Sequence, residues 1–310
     1  MKPWTYAAIF FFALIGSGVL VELARRVSPR LRALDRPDSN RKLQTSAVPR
    51  LGGVAVILAF SGALLVAVAI LRTPADIPVL LGALIPALGA AGIGLWDDYR
   101  PVSPTLRLIL LTFLAALAWW FGTSISLTDL WYVNAAMTIV WIVAVTNAFN
   151  TIDNMDGLAA SSALIGALGT AFIAIYFGQF LVASFALALA GAAGGFLWHN
   201  WAPATIYLGD AGSYFFGFLL AILTIRLNPV AVDIPIAIFI PVLLLFLPIV
   251  DLIFVFVRRI KEGRHPFTPG LDHLSHSMQR RGLTPGRILG LVQVIGVVSM
   301  SLGVAIAVSI

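Results

Sequence analysis

The 310-residue chain contains no cysteine, which excludes a disulfide framework, a thiolate metal site and a cysteine nucleophile, and leaves the redox compartment open. It is also poor in charge. Asp, Glu, Lys and Arg make up 11 % of it, less than half of the roughly 25 % found in an ordinary soluble domain. It has four histidines and no HExxH, which sets a zinc-protease reading aside. What it has in quantity is apolar surface: 60 % of its residues are hydrophobic. The apolar runs recur at about 20 residues, the length needed to cross a roughly 30 Å hydrocarbon core, and they lack the polar alternation of a barrel strand. The expected fold class is all-α, a polytopic integral membrane protein.

Ten spans are expected, near residues 4–24, 51–71, 77–96, 106–122, 130–149, 158–177, 179–198, 212–226, 231–257 and 287–309, in a single domain over 1–310. Only Lys2 precedes the first run and no small-residue cleavage site follows it, so it reads as a retained span and not a removed signal. The net charge of +6 and pI near 10.1 do not require nucleic acid, because the basic residues flank apolar spans. Alternation places loops 25–50, 96–107, 148–157, 198–212 and 257–287 on one face, and these hold 17 of the 20 Lys and Arg residues. Lys2, Arg72 and Arg226 fall on the other. By the positive-inside rule the first face is cytoplasmic and both termini lie outside.

The same sorting sends every polar cluster to that one face. In "GLWDDYRPVSP" Asp97 and Asp98 close the third span. Adjacent helical side chains diverge by roughly 100°, so one carboxylate can face a site and the other a loop. In "NAFNTIDNMDGLAA" Asp153 and Asp156 stand three apart, as do Asn147 and Asn150, and on a helix each pair shares a face. They either cap the sixth span or form a site; one cap leaves the remaining polar residues unexplained. A carboxylate in hydrocarbon costs at least about 2.5–3.5 kcal/mol, so such residues persist where they meet water, a metal or a substrate. In "YLGDAGS" Asp210 either caps the eighth span or holds Mg²⁺, which takes one or two carboxylates with phosphate and water oxygens. His273 and His276, spaced i, i+3 beside Asp272, suggest phosphate contact or proton transfer. In the basic loop before Gly52 and Gly53, Lys42 and Arg50 suit anionic phosphates.

Together the stretches "RK…PRLGG", "DDY", "NAFNTIDNMDGLA", "N..PA..YLGDAGS" and "PFTP…H..H", in that order along nearly the whole chain, resemble the polyprenyl-phosphate N-acetylhexosamine-1-phosphate transferase family. These are the polytopic phosphoglycosyl transferases of cell-envelope glycan synthesis. The resemblance implies attack of a polyprenyl phosphate on the β-phosphate of a UDP-N-acetylhexosamine, with Mg²⁺ or Mn²⁺ as cofactor, at the cytoplasmic face of a bacterial inner membrane. It implies Asp210 and Asn150 as metal ligands, and Asp97 and Asp98 at the lipid phosphate. Asp153, Asp156 and Tyr207 fall at the nucleotide, with Asn147 among the substrate contacts. Asp156, His273 and His276 join the Asp97 and Asp98 pair as the catalytic set. A homodimer would fit. The chain departs from the commoner pattern at Gln44, Asn154, Met155, Gly270, Leu271 and Ser275, all near the substrate contacts that the resemblance implies.

Two rivals are weaker. CDP-alcohol phosphotransferases share "D..DG..A", but Ser161 stands in place of their arginine and no aspartate lies between Asp156 and Asp210. An ion-coupled secondary transporter would place its carboxylates near the midplane in repeated halves, whereas here they stand at span ends and no internal repeat is evident.

Overall fold

The computed structural model describes residues 3–35, 47–71, 77–227, 238–265 and 270–309; Lys42 and Gln44 lie outside the described residues. The fold is all-helical, as expected, with twelve helices among the described residues. These are α1 (Pro3–Val27), α2 (Gly52–Leu71), α3 (Ile77–Tyr99), α4 (Pro104–Trp120), α5 (Trp131–Ile152), α6 (Leu158–Tyr176), α7 (Phe180–Asn200), α8 (Gly209–Arg226), α9 (Phe239–Leu244), α10 (Phe246–Lys261), α11 (Leu274–Arg280) and α12 (Pro285–Ser309). A two-residue antiparallel ribbon pairs β1 (Leu34–Asp35) with β2 (Val48–Pro49).

Among the described residues six helices are long and apolar enough to cross a membrane: Pro3–Val27, Leu80–Tyr99, Trp131–Ile152, Leu158–Tyr176, Phe180–Asn200 and Pro285–Ser309. Gly52–Val68 and Pro104–Trp120 are apolar but shorter. The expected span 231–257 is corrected within its described part. It is two helices broken at Leu245 (φ −112°, ψ 28°), the second continuing to Lys261. Pro248 has no N–H to give the Leu244 carbonyl four residues back, so an unbroken helix would lose that bond.

Burial grades the bundle from inside to outside. α6 and α7 have 78 % and 72 % of their apolar stretch buried, against 22 % for both α1 and α12, which leaves the latter two with one packed stripe and a wide exposed apolar surface. Every side chain of α8 from Ala211 to Thr224 is buried, because α8 packs against α2, α3, α5 and α6. In a bilayer apolar area alone does not drive helices together, so close approach through small residues and interhelical hydrogen bonds must. The α1–α7 seam shows both. A Cβ at Gly191 or Gly195 would overlap the Phe10 or Leu14 carbonyl, and Ser17 Oγ donates to the Ala192 carbonyl at 2.7 Å. Exposed Trp96, Tyr99, Trp198 and Trp201 lie at one set of helix ends and exposed Trp120 and Trp131 at another, the placement of interfacial aromatic belts.

Candidate active site

The site is assembled where α3 and α5 end and where α2, α6 and α8 begin. Residues 47–53 run between two neighbours. On one side β2 pairs with β1 and Arg50 N donates to the Ala33 carbonyl at 3.1 Å; on the other Tyr207 N donates to Pro49 O at 2.7 Å, and Gly52 N and Gly53 N donate to Tyr207 O and Leu208 O. A Cβ at Gly53 would overlap the Gly212 backbone, so this glycine allows the start of α2 to lie against the start of α8. Arg50 is thereby carried to the mouth of the bundle. Its guanidinium lies 5.7 Å from the Tyr99 ring centroid, within electrostatic reach of Asp98, and its buried Nε has no hydrogen-bond partner among the described residues.

α3 runs to Tyr99, so Asp97 and Asp98 occupy its last turn and diverge as expected. Asp97 turns to the loop, accepting from Val102 N at 2.8 Å and from Arg107 Nη1 of α4 at 2.9 Å. Asp98 turns to α8, its two oxygens accepting from Asp210 N and Ala211 N, each at 3.2 Å. Asp98 therefore caps α8 from another helix, and the capping alternative for Asp210 is overturned. Its side chain instead meets Asn150 of α5, whose Nδ2 donates to Asp210 Oδ1 at 2.7 Å and approaches Ser213 Oγ at 3.3 Å. Gly209, at φ +73° and with Asp98 Oδ2 2.8 Å from where its Cβ would be, provides the left-handed residue that this entry into α8 requires.

The helical-face reading of Asp153 and Asp156 is corrected. α5 ends at Ile152, residues 153–157 form a turn, and α6 starts after Gly157 at φ +77°. Neither aspartate caps α6; the Gly157 N–H is accepted by Asn200 Oδ1 at 2.9 Å. Asn200 also donates to Ile206 O, so this buried amide, which the residue-by-residue reading passed over, ties the two polar loops together. Asp156 accepts from Ala204 N at 2.9 Å. Asp153 lies within electrostatic reach of Asp210, Asp98 and Asp156; desolvation first, and then those charges, push its carboxyl well above the ordinary range. Burial, followed by Asp156, Asp35 and Asp153, pushes Tyr207 up to about 12. Asn147 is not brought into the cluster by its amide, which donates to Val143 O in its own helix at 2.8 Å.

The histidines do come together, with ring centroids 5.5 Å apart, but their acidic partner is not Asp272. Arg259 grips Asp272 through two bonds of 2.9 Å, and with Arg264 added this carboxyl is held at about 2. His273 Nδ1 instead lies 3.0 Å from Asp251 Oδ2 in α10. Burial, then His273 and Arg280, lower the basicity of His276, whose Nδ1 is buried without a hydrogen-bond partner among the described residues. Two departures from the family pattern meet here: Ser275 Oγ donates to Asn154 Oδ1. Asp251 was missed because it is a single carboxylate inside "FLPIVDLIFVFV"; an ionisable residue in an apolar run was itself the signal.

No group of three or more His, Asp or Glu side chains is disposed to hold a metal among the described residues, so these residues form no complete cage. They do offer a partial oxygen set. Asp210 Oδ2 and Asn150 Oδ1 have no protein partner among the described residues, while Asp97 and Asp98 each have both oxygens engaged. One carboxylate and one amide oxygen, completed by water and phosphate, fit a hard ion such as Mg²⁺ and do not fit zinc.

The chain is similar to known proteins. Residues 80–228 match the model of glycosyl transferase family 4. The phospho-N-acetylmuramoyl-pentapeptide-transferase of Moorella thermoacetica is 32 % identical over 246 residues, covering 73 % of this chain and 74 % of its own. The probable undecaprenyl-phosphate N-acetylglucosaminyl 1-phosphate transferase of Bacillus subtilis is 29 % identical over 296 residues, covering 93 % and 81 %. The decaprenyl-phosphate N-acetylglucosaminephosphotransferase of Mycobacterium tuberculosis is 29 % identical over 318 residues, covering 89 % and 76 %. The chain belongs to glycosyl transferase family 4, among polyprenyl-phosphate N-acetylhexosamine-1-phosphate transferases.

Proposed function

We propose that this protein transfers an N-acetylhexosamine 1-phosphate from a UDP-sugar to a polyprenyl phosphate such as undecaprenyl phosphate, releasing UMP, at the cytoplasmic face of a bacterial inner membrane. The observation that carries this reading is the convergence on Asp210 of Asn150 from α5 and Asp98 from α3, with Arg50 in electrostatic reach of Asp98 and Asp153 in reach of Asp210. Such a site lies where helices end, so a lipid phosphate can enter in the headgroup plane and a nucleotide from the water.

An oxygen of the lipid phosphate attacks the β-phosphorus, and the bond from that phosphorus to the bridging oxygen breaks, with the electron pair leaving on UMP. Asp210 and Asn150 would hold Mg²⁺, which supplies charge neutralisation for the diphosphate. Asp98 faces the attacking phosphate as base or orienting group, while Asp97, fixed by Arg107, holds the 100–103 turn. Arg50, with Lys42 from the same loop, offsets phosphate charge. Asp153, Asp156 and Tyr207 receive the nucleotide, and His273 and His276 the phosphosugar end. The sidedness follows the loop charges, which also put both termini outside.

The relatives take different N-acetylhexosamines by their names, so the donor must be measured. A panel of UDP-sugars, assayed in detergent with undecaprenyl phosphate, is expected to release UMP with an N-acetylhexosamine donor only. EDTA should abolish that release and Mg²⁺ restore it. Donor uptake into liposomes without UMP release would instead favour a transporter.

A further inference from the structure

Asp251 is a buried acidic group for which the proposed reaction has no use. It lies in mid-α10, 3 % exposed. One of its oxygens accepts from Leu274 N at 2.9 Å, at the start of α11. The other lies 3.0 Å from His273 Nδ1 and 3.4 Å from Asn154 Nδ2. A single carboxylate thus joins α10, the 153–157 turn that carries Asp153 and Asp156, and the short helix that His273 precedes and His276 lies in. The Ser275–Asn154 bond closes the ring from the far side.

The chemistry of the pair fixes more than position. An ionised carboxylate only accepts hydrogen bonds, so opposite one the contact at 3.0 Å calls for the His273 proton on Nδ1. Free neutral imidazole prefers the opposite tautomer. The hydrogen bond at one ring nitrogen decides what the other can do, and an orienting carboxylate also supports the charge when the ring takes a second proton.

We propose that Asp251 is a positioning residue that locks the His273 ring as the Nδ1–H tautomer, so that Nε2 is the atom offered to the phosphosugar end of the donor. The donor contact rests on the transferase reading above. The pairing itself rests on geometry.

The test uses the full-length protein in detergent, labelled with ¹⁵N-histidine. The chain has four histidines, so His273→Ala assigns the signal by its loss. The wild type is expected to show an Nδ1-protonated His273, and Asp251→Asn to move that proton to Nε2, because asparagine leaves one oxygen where Leu274 N, His273 and Asn154 now share two. An Nε2–H signal for His273 in the wild type would overturn the proposal whatever the variants do. In the transfer assay Asp251→Asn should lower kcat/KM for the UDP-sugar by about 10–100-fold, the usual scale for a group that orients a working ligand. KM for the lipid phosphate should stay unchanged. In a His273→Ala background the same substitution should cost less than about threefold, since groups acting through one another are not additive. An equal loss in both backgrounds would overturn the positioning role. Absence of UMP release by the wild type would remove the transferase reading and leave the tautomer measurement to decide the pair.

Discussion

Asp210→Asn is expected to lower UMP release by on the order of 10²–10³-fold while the protein still inserts and elutes normally in detergent. The substitution is nearly isosteric, and its Oδ1 can still accept the Asn150 amide at the position where Asp210 Oδ1 does, at 2.7 Å. What is lost is the negative charge of the carboxylate that Asn150 approaches and that Asp98 neighbours. Removing one preorganised electrostatic contact to a reacting group typically costs about 3–4 kcal/mol of barrier, and each factor of ten is about 1.4 kcal/mol. The Mg²⁺ concentration for half-maximal rate should rise in whatever activity remains. Wild-type turnover by the purified variant would remove Asp210 from the mechanism.

The second large effect is steric. Gly94 lies one turn before Asp97 and Asp98, and a Cβ there would overlap the Asp210 carbonyl and the Ala211 nitrogen. Those atoms are backbone at the start of a fully enclosed helix, so they cannot turn aside as a flexible side chain would. Gly94→Ala must push α3 away from α8 and draw Asp98 off the two amides that it caps. Overpacking of this kind costs about 1–3 kcal/mol of stability, and the displaced carboxylate adds a loss of transfer expected to exceed about 100-fold, since small misplacements of reacting groups are that costly. Gly92 provides the control on the same helix: nothing lies within 4 Å of its would-be Cβ, so Gly92→Ala should keep near-normal rate and melting temperature. Equal behaviour of the two variants would show that the α3–α8 contact does not hold the Asp98–Asp210 pair.

The apolar helices were legible because hydrocarbon leaves a spanning chain so few options: backbone groups must be satisfied internally, and composition then marks each span. Their ends were less so. The expected spans stop at 96 and start at 212, just short of Asp97, Asp98 and Asp210, yet all three lie inside the terminal turns of α3 and α8, where partners from other helices meet them. The pairing of Asp98 with the α8 amides could not be seen from spacing, since 112 residues separate the partners. The shared helical face assigned to Asp153 and Asp156 failed for a local reason. Left-handed Gly157 requires a turn between α5 and α6, which sends Asp156 to Ala204 and leaves Asp153 beside Asp210. Likewise the i, i+3 spacing brings the two histidines together, but their neighbour in sequence, Asp272, is taken by two guanidinium bonds from Arg259, and the carboxylate that meets His273 comes from α10.

The reaction assigns each phosphorus a different fate, and that is the most direct test. Donor UDP-N-acetylhexosamine labelled with ³²P at the β-position, incubated with the protein, undecaprenyl phosphate and Mg²⁺, should pass its label into the organic phase, whereas label at the α-position should remain in water as UMP. Retention of both labels in the aqueous phase, or a lipid product carrying sugar without the β-label, would contradict the account.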